Sequence, residues 1–166
     1  PVSRGTYLAG KALGATLAAA ALAILFSLPL ALDASLPTVF AWLLSLALEL
    51  VLMAMVSLLC VLTFAQFVPS LAAVTAIYAF SRSLGALLAI GSSPVAPIDA
   101  TYYRFADAAL HGIAALLPRL DQFTRTAWLL GEANPFAELG GVLLQTAVFV
   151  PLTAIAAYID LERKSF

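Results

Sequence analysis

The chain has 166 residues, 63% of them hydrophobic and 10% charged, against about 25% charged in an ordinary soluble domain. Its 8 basic and 9 acidic side chains leave a net charge of -1, which gives no basic surface for nucleic acid. The apolar residues collect into runs long enough to cross a bilayer, so the class is an integral membrane protein.

In chain order, residues 2–11 form a basic, mildly amphipathic lead-in, with Arg4, Leu8 and Lys11 on one side of a helix. Arg4 and Lys11 suit snorkelling anchors at the mouth of the first span or a docking surface for a cytoplasmic partner. The first span is predicted over 13–32. Gly10, Gly14 and Ala18 give it a small-residue face, and Pro29 is expected to bend its last turn. Residues 33–38 make a turn without a basic residue. The second span, 39–64, is long enough to tilt and carries Glu49, which must face protein or water. Pro69 is placed to open the third span, 69–90, which carries Arg82 and a second small-residue face of Ser81, Gly85 and Ala89.

Residues 91–97 (GSSPVAP) read as a loop. The apolar run 105–117 would reach only about 20 Å as a helix, against a hydrocarbon core of about 30 Å. Pro118 ends it, and Arg119, Asp121 and Arg125 follow at once. The stretch 105–128 is therefore expected to be two short helices lying at the membrane surface or dipping part-way in. GEANP (131–135) is a second break. The fourth span is expected over 139–159, with Gln145 and Thr146 in its first half and a kink at Pro151.

The fold class predicted is all-α, a polytopic membrane helix bundle forming one domain over 1–166, with four spans and a re-entrant or interfacial pair between the third and fourth. Basic residues at both ends, Arg4 and Lys11 at one and Arg163 and Lys164 at the other, favour the cytoplasm for both. That needs an even number of crossings, and puts the 91–138 segment outside. The apolar first run has the length of a span and no clear cleavage site, so no signal peptide is recognised. The start at Pro1 suggests the later part of a longer protein.

At about 1.5 Å per residue, Glu49 sits roughly 15 Å below the outer face, Arg82 roughly 12 Å and Gln145 roughly 9 Å. Matched depth, and the cost of leaving either charge alone in lipid, predict a Glu49–Arg82 pair with Gln145 and Tyr78 close by. Such a cluster could lock the helices together or line a substrate route. His111 follows Asp107 by one helical turn, but one imidazole and one carboxylate are not a metal site. Met53 and Met55 point about 200° apart on a helix and cannot readily share a metal. Cys60 has no partner for a disulfide. No His-Glu-x-x-His, Gly-x-Ser-x-Gly or Walker-type phosphate loop is present, so no catalytic residue, cofactor or metal is predicted.

The opening PVSRGTYLAGK, with Pro1, Arg4, Gly10 and Lys11, resembles the cytoplasmic connection into the third helix of ATP-binding-cassette (ABC) type-2 permeases. LLPRLDQFTRTAW (116–128) is similar to the Leu-Pro-x-Leu-x-x-Phe segment before the last helix in one branch of that family. The likeness covers essentially the whole chain, as the later two-thirds of a permease. It implies the non-catalytic membrane subunit of an ABC exporter in a bacterial inner membrane, a homo- or heterodimer of permeases served by cytoplasmic ABC ATPases. Arg4, Tyr7 and Lys11 would couple to the ATPase. Asp107, His111, Pro118, Arg119 and Asp121 would belong to an external re-entrant pair over the translocation route. The two earlier spans usual in the family are not seen before Pro1. The rival readings are a non-transporting membrane scaffold, another multi-span transporter, or an intramembrane enzyme. The last would need a nucleophile or metal set that is not found beside Glu49 and Arg82.

Overall fold

The computed structural model describes residues 3–64, 66–91, 108–109, 111–114 and 117–163. Residues 92–107, which include Asp107 and all but the first residue of the expected 91–97 loop, and the tail beyond Arg163 lie outside the described residues. Ser3 starts α1 (Arg4–Ser27) by accepting the Thr6 amide at 3.1 Å, which satisfies one of the free donors of the first turn. The α-helix ends at Ser27, and Pro29–Leu32 continue as a 3-10 turn. The bend expected at Pro29 is thus a change of helix type, since proline has no N–H to donate. After a short turn, α2 (Leu36–Thr63) opens with Pro37 in its first turn. α3 covers Phe67–Gly91, with Pro69 in its first turn. A single turn, α4 (Thr126–Leu129), precedes α5 (Pro135–Arg163), which runs unbroken through Pro151.

Four helices are long and apolar enough to cross a membrane: Gly5–Leu32, Leu36–Thr63, Phe67–Ala89 and Pro135–Arg163. Each overlaps one expected span, and no strand occurs among the described residues. The chain is a membrane-type helix bundle turned outward: Leu17, Phe67, Leu144 and Leu152 are all more than half exposed. Water would penalise such a surface, whereas hydrocarbon does not.

α2 is the central helix and touches α1, α3, α4 and α5. Its buried stripe Ser45, Glu49, Leu52, Val56 and Cys60 recurs every three or four residues. At one end of the bundle Leu8 of α1 packs with Ala157 and Leu161 of α5, so the first and last helices meet there. We call this the terminal end.

Within the chain, the small-residue face of Gly10, Gly14 and Ala18 meets no other helix. All three are exposed, and a Cβ built on either glycine meets nothing within 4 Å. α1 buries Ala19, Ala23 and Ser27 instead. The alanine-rich sequence carries two overlapping ladders of small residues, and the one starting a position later faces the bundle. On α3, by contrast, the Ser81 and Gly85 part of the face is covered, though not by a helix, while Ala89 is exposed. The covered part receives the 3-10 turn Leu120–Gln122.

That turn belongs to residues 117–130, which dip into the opposite end of the bundle rather than resting on it. Leu120, Phe123 and Trp128 are fully buried and share one core cluster with Leu52, Val56 and Val142. Glu49, beside which the segment docks, is roughly 20 Å along α2 from Leu36 at 1.5 Å per residue. Helix 111–114 leads in, closed by the Leu117 amide donating to the Ile113 carbonyl at 3.1 Å before Pro118. α4 ends at Gly131, whose φ of 73° is a conformation glycine adopts without a steric cost.

Candidate functional site

Three elements converge on one polar hub: α2 supplies Ser45 and Glu49, α3 supplies Arg82, and the dipping segment supplies Thr124 and two backbone carbonyls. Ser45 and Glu49 are one turn apart on the buried stripe of α2 and are 0% and 5% exposed. Arg82 Nη1 lies 3.3 Å from Glu49 Oε1. The same nitrogen donates to the carbonyls of Leu120 at 2.8 Å and Phe123 at 3.2 Å, and Nη2 reaches Thr124 Oγ1 at 3.2 Å. Thr124 Oγ1 donates to Glu49 Oε2 at 2.8 Å, and the Thr124 amide donates to Ser45 Oγ at 3.0 Å.

The arrangement answers two desolvation problems together. A carboxylate in the bundle interior needs a countercharge and donors, and a chain that dips into a membrane without forming a helix needs donors for its carbonyls. Arg82 serves both, because a guanidinium offers several N–H groups in a fixed fork. Thr124 holds a φ of 44°, the only positive φ among described non-glycine residues. A β-branched residue seldom adopts that conformation, so surrounding contacts must hold it there.

A second attachment ties the segment to α5. Arg125 Nη1 lies 2.9 Å from Glu138 Oε1, and Trp128 Nε1 donates to Glu138 Oε2 at 2.7 Å. Within the segment, Arg119 Nη2 pairs with Asp121 Oδ2 at 3.1 Å. Asp121 packs directly on α3, where a Cβ added to Gly85 would come within 2.5 Å of Asp121 Oδ2.

The structure thus brings Glu49 and Arg82 together, as the matched depths predict. Tyr78 does not bond to either, but with Glu49, Thr75 and Met53 it borders a cleft of about 370 Å³ between α2 and α3. Gln145 is half-buried on α5 and forms no hydrogen bond to Glu49 or Arg82. Of the residues expected on the external side, Pro118 is buried, Arg119 and Asp121 are paired, and His111 is exposed on the lead-in helix. Asp107 is outside the described residues. In the lead-in, Tyr7 is half exposed with Lys11 Nζ 5.8 Å from its ring centroid, and Arg4 begins α1.

Ser45, Thr124 and the carbonyls of Leu120 and Phe123 are hub members that sequence reasoning missed. Ser45 was findable as the polar residue one turn before Glu49. A backbone carbonyl carries no sequence signal, and a threonine argues against the conformation Thr124 adopts. Among the described residues no three His, Cys, Asp or Glu side chains converge in a way that could hold a metal ion.

Fold and site define a class: a four-helix membrane-type bundle with a non-crossing segment docked into one end. Compared with family models, curated proteins and solved structures, the chain finds no match.

Proposed function

We propose that the chain is the membrane-spanning permease subunit of an ABC-type exporter, working as a dimer in a bacterial inner membrane and driven by a separate cytoplasmic ATPase. The observation that carries this reading is the docked segment 117–130. A bundle whose first and last helices meet at one end, and whose other end is filled by a polar-latched insert, has the parts of a route closed at one mouth. The terminal end is then cytoplasmic, in keeping with Arg4, Lys11 and Arg163. Arg4, Tyr7 and Lys11 are the coupling surface, and the open Gly10–Gly14 face of α1 is available to a neighbouring span. Movement of the lead-in by the ATPase tilts helices as bodies and alters which state of the insert is favoured.

The test is affinity purification of the chain from its native membrane. An ATPase should co-purify, and reversing Arg4 and Lys11 to glutamate should release it without unfolding the bundle. A folded chain that brings down no nucleotide-hydrolysing partner would leave the scaffold reading standing instead.

A further inference from the structure

We infer that the cavity of about 290 Å³ between the closing turns of α2 and α5 binds an aminophospholipid headgroup; Leu59, Thr63, Ala156, Ile159, Asp160 and Arg163 line it. The site stands apart from the exporter reading and shares no residue with the polar hub.

Asp160 supplies the first observation. Its Oδ2 is shielded from solvent and accepts no hydrogen bond among the described residues. Arg163 lines the same cavity one turn further on, yet no ion pair joins the two. A shielded carboxylate oxygen without a donor is costly, so the cavity is short of a cation that carries N–H groups. Thr63 Oγ1 donates to the Leu59 carbonyl at 2.9 Å, which leaves its lone pairs to accept. α2 ends at Thr63, and the last carbonyls of a helix carry partial negative charge. All three features favour an ammonium group.

The second observation is the grading of the walls. α2 and α5 both run toward the terminal end, and the cavity changes from Leu59, Ala156 and Ile159 to Thr63, Asp160 and Arg163 in that direction. Ala156 to Arg163 is about 10 Å along the helix, enough to reach from the acyl boundary through a headgroup layer. Leu152 and Ile155, both more than half exposed, continue the apolar wall on the same face of α5 toward mid-membrane. A soluble cation would use Asp160 and ignore that wall. An anionic headgroup would use Arg163 and meet Asp160 as a like charge. A phosphoethanolamine headgroup satisfies both ends: its ammonium donates to Asp160 Oδ2 and Thr63, and its phosphate faces the Arg163 guanidinium. The quaternary ammonium of a choline headgroup has no N–H and leaves Oδ2 unbonded.

Native mass spectrometry of the full chain in detergent, titrated with phosphatidylethanolamine and phosphatidylcholine of the same acyl chains, reads this preference. The unaltered chain should retain phosphatidylethanolamine at least fivefold better. Asp160→Asn should bring the two lipids within twofold of each other. Asp33→Asn, the same change at the opposite end of the bundle, should leave the preference intact. Arg163→Gln should weaken both lipids alike, since both carry the phosphate. Equal retention of the two lipids by the unaltered chain overturns the site, as does a preference that survives Asp160→Asn or is lost equally with Asp33→Asn. Tighter retention of phosphatidylglycerol than of phosphatidylethanolamine overturns it too, because Arg163 alone would then recruit lipid. A co-purifying ATPase, present or absent, alters none of these outcomes.

Discussion

Arg82 approaches the carbonyl oxygen of Leu120 more closely than it approaches the carboxylate of Glu49, 2.8 Å against 3.3 Å. The guanidinium is therefore as much a clamp on the backbone of the inserted segment as a countercharge. This asymmetry orders two substitutions. Arg82→Ala leaves the buried Glu49 without its cation and two inserted carbonyls without their donor, a loss of about 3 kcal/mol by comparison with broken buried pairs. Glu49→Gln keeps an acceptor for Thr124 and leaves Arg82 its carbonyls, so about 1 kcal/mol is expected, near the worth of one hydrogen bond. Denaturant titration of the purified chain in mixed micelles compares them. If Glu49→Gln proves the more damaging, the ion pair dominates and the clamp is secondary.

Gly85 and Gly141 face the same segment from opposite sides and should respond oppositely to one methyl group. Gly85→Ala places a carbon within 2.5 Å of Asp121 Oδ2 and 3.2 Å of its Cβ, so the Leu120–Gln122 turn must shift. Overpacking of this kind costs about 1–3 kcal/mol. Gly141→Ala has room and should change stability by less than about 0.5 kcal/mol, as surface substitutions do. The double variant Gly85→Ala with Asp121→Ala removes the clash and should recover most of the loss, giving a coupling term between neighbours. Additive losses in thermal unfolding would show that the turn is not seated on Gly85.

Much of the architecture was legible because the membrane imposes it. Runs of span length are read directly from hydropathy, and the short 105–117 run ending at Pro118 marked a segment unable to cross. The Glu49–Arg82 pair was legible for the same reason, since charges in apolar runs must find each other or water. Helix facing was not. Gly10, Gly14 and Ala18 are exposed while Ala19, Ala23 and Ser27 are buried, and composition cannot choose between two interleaved ladders of small residues. Nor could the sequence show that Leu120, Phe123 and Trp128 of a charged, proline-broken stretch would supply core side chains. Those residues are apolar anchors separated by polar ones, a pattern that serves equally for a surface helix.

Thr124 sets two opposing effects against each other. Its left-handed backbone costs about 1–2 kcal/mol for a residue with a Cβ. Its hydroxyl bonds to two charged groups, and such bonds contribute about 1.5–3 kcal/mol each. Glycine at this position would relieve the first and forfeit the second, so the hydroxyl should win. Thr124→Gly is expected to destabilise by about 1–5 kcal/mol, whereas Thr124→Ser, which keeps the oxygen, should be close to neutral. A stabilised glycine variant in the same micelle titration would mean that backbone strain outweighs the hub.

The packing of Leu8 against Ala157 and Leu161 puts the start of α1 and the end of α5 at one end of the bundle, with 117–130 at the other. Four helices long enough to cross a membrane join these ends, and basic residues such as Arg4, Lys11 and Arg163 favour a cytoplasmic side by the positive-inside bias. Single cysteines in a Cys60→Ser background test this in intact cells with a membrane-impermeant maleimide. Leu130→Cys, 68% exposed at the segment end, should label from outside. Ser3→Cys and Arg163→Cys should label only after the cells are opened. Reversed labelling of all three would keep the bundle and invert its orientation, placing Tyr7 and Lys11 beyond reach of a cytoplasmic ATPase. Opposite labelling of Ser3→Cys and Arg163→Cys would mean an odd number of crossings, which the helix pairing at the terminal end does not allow.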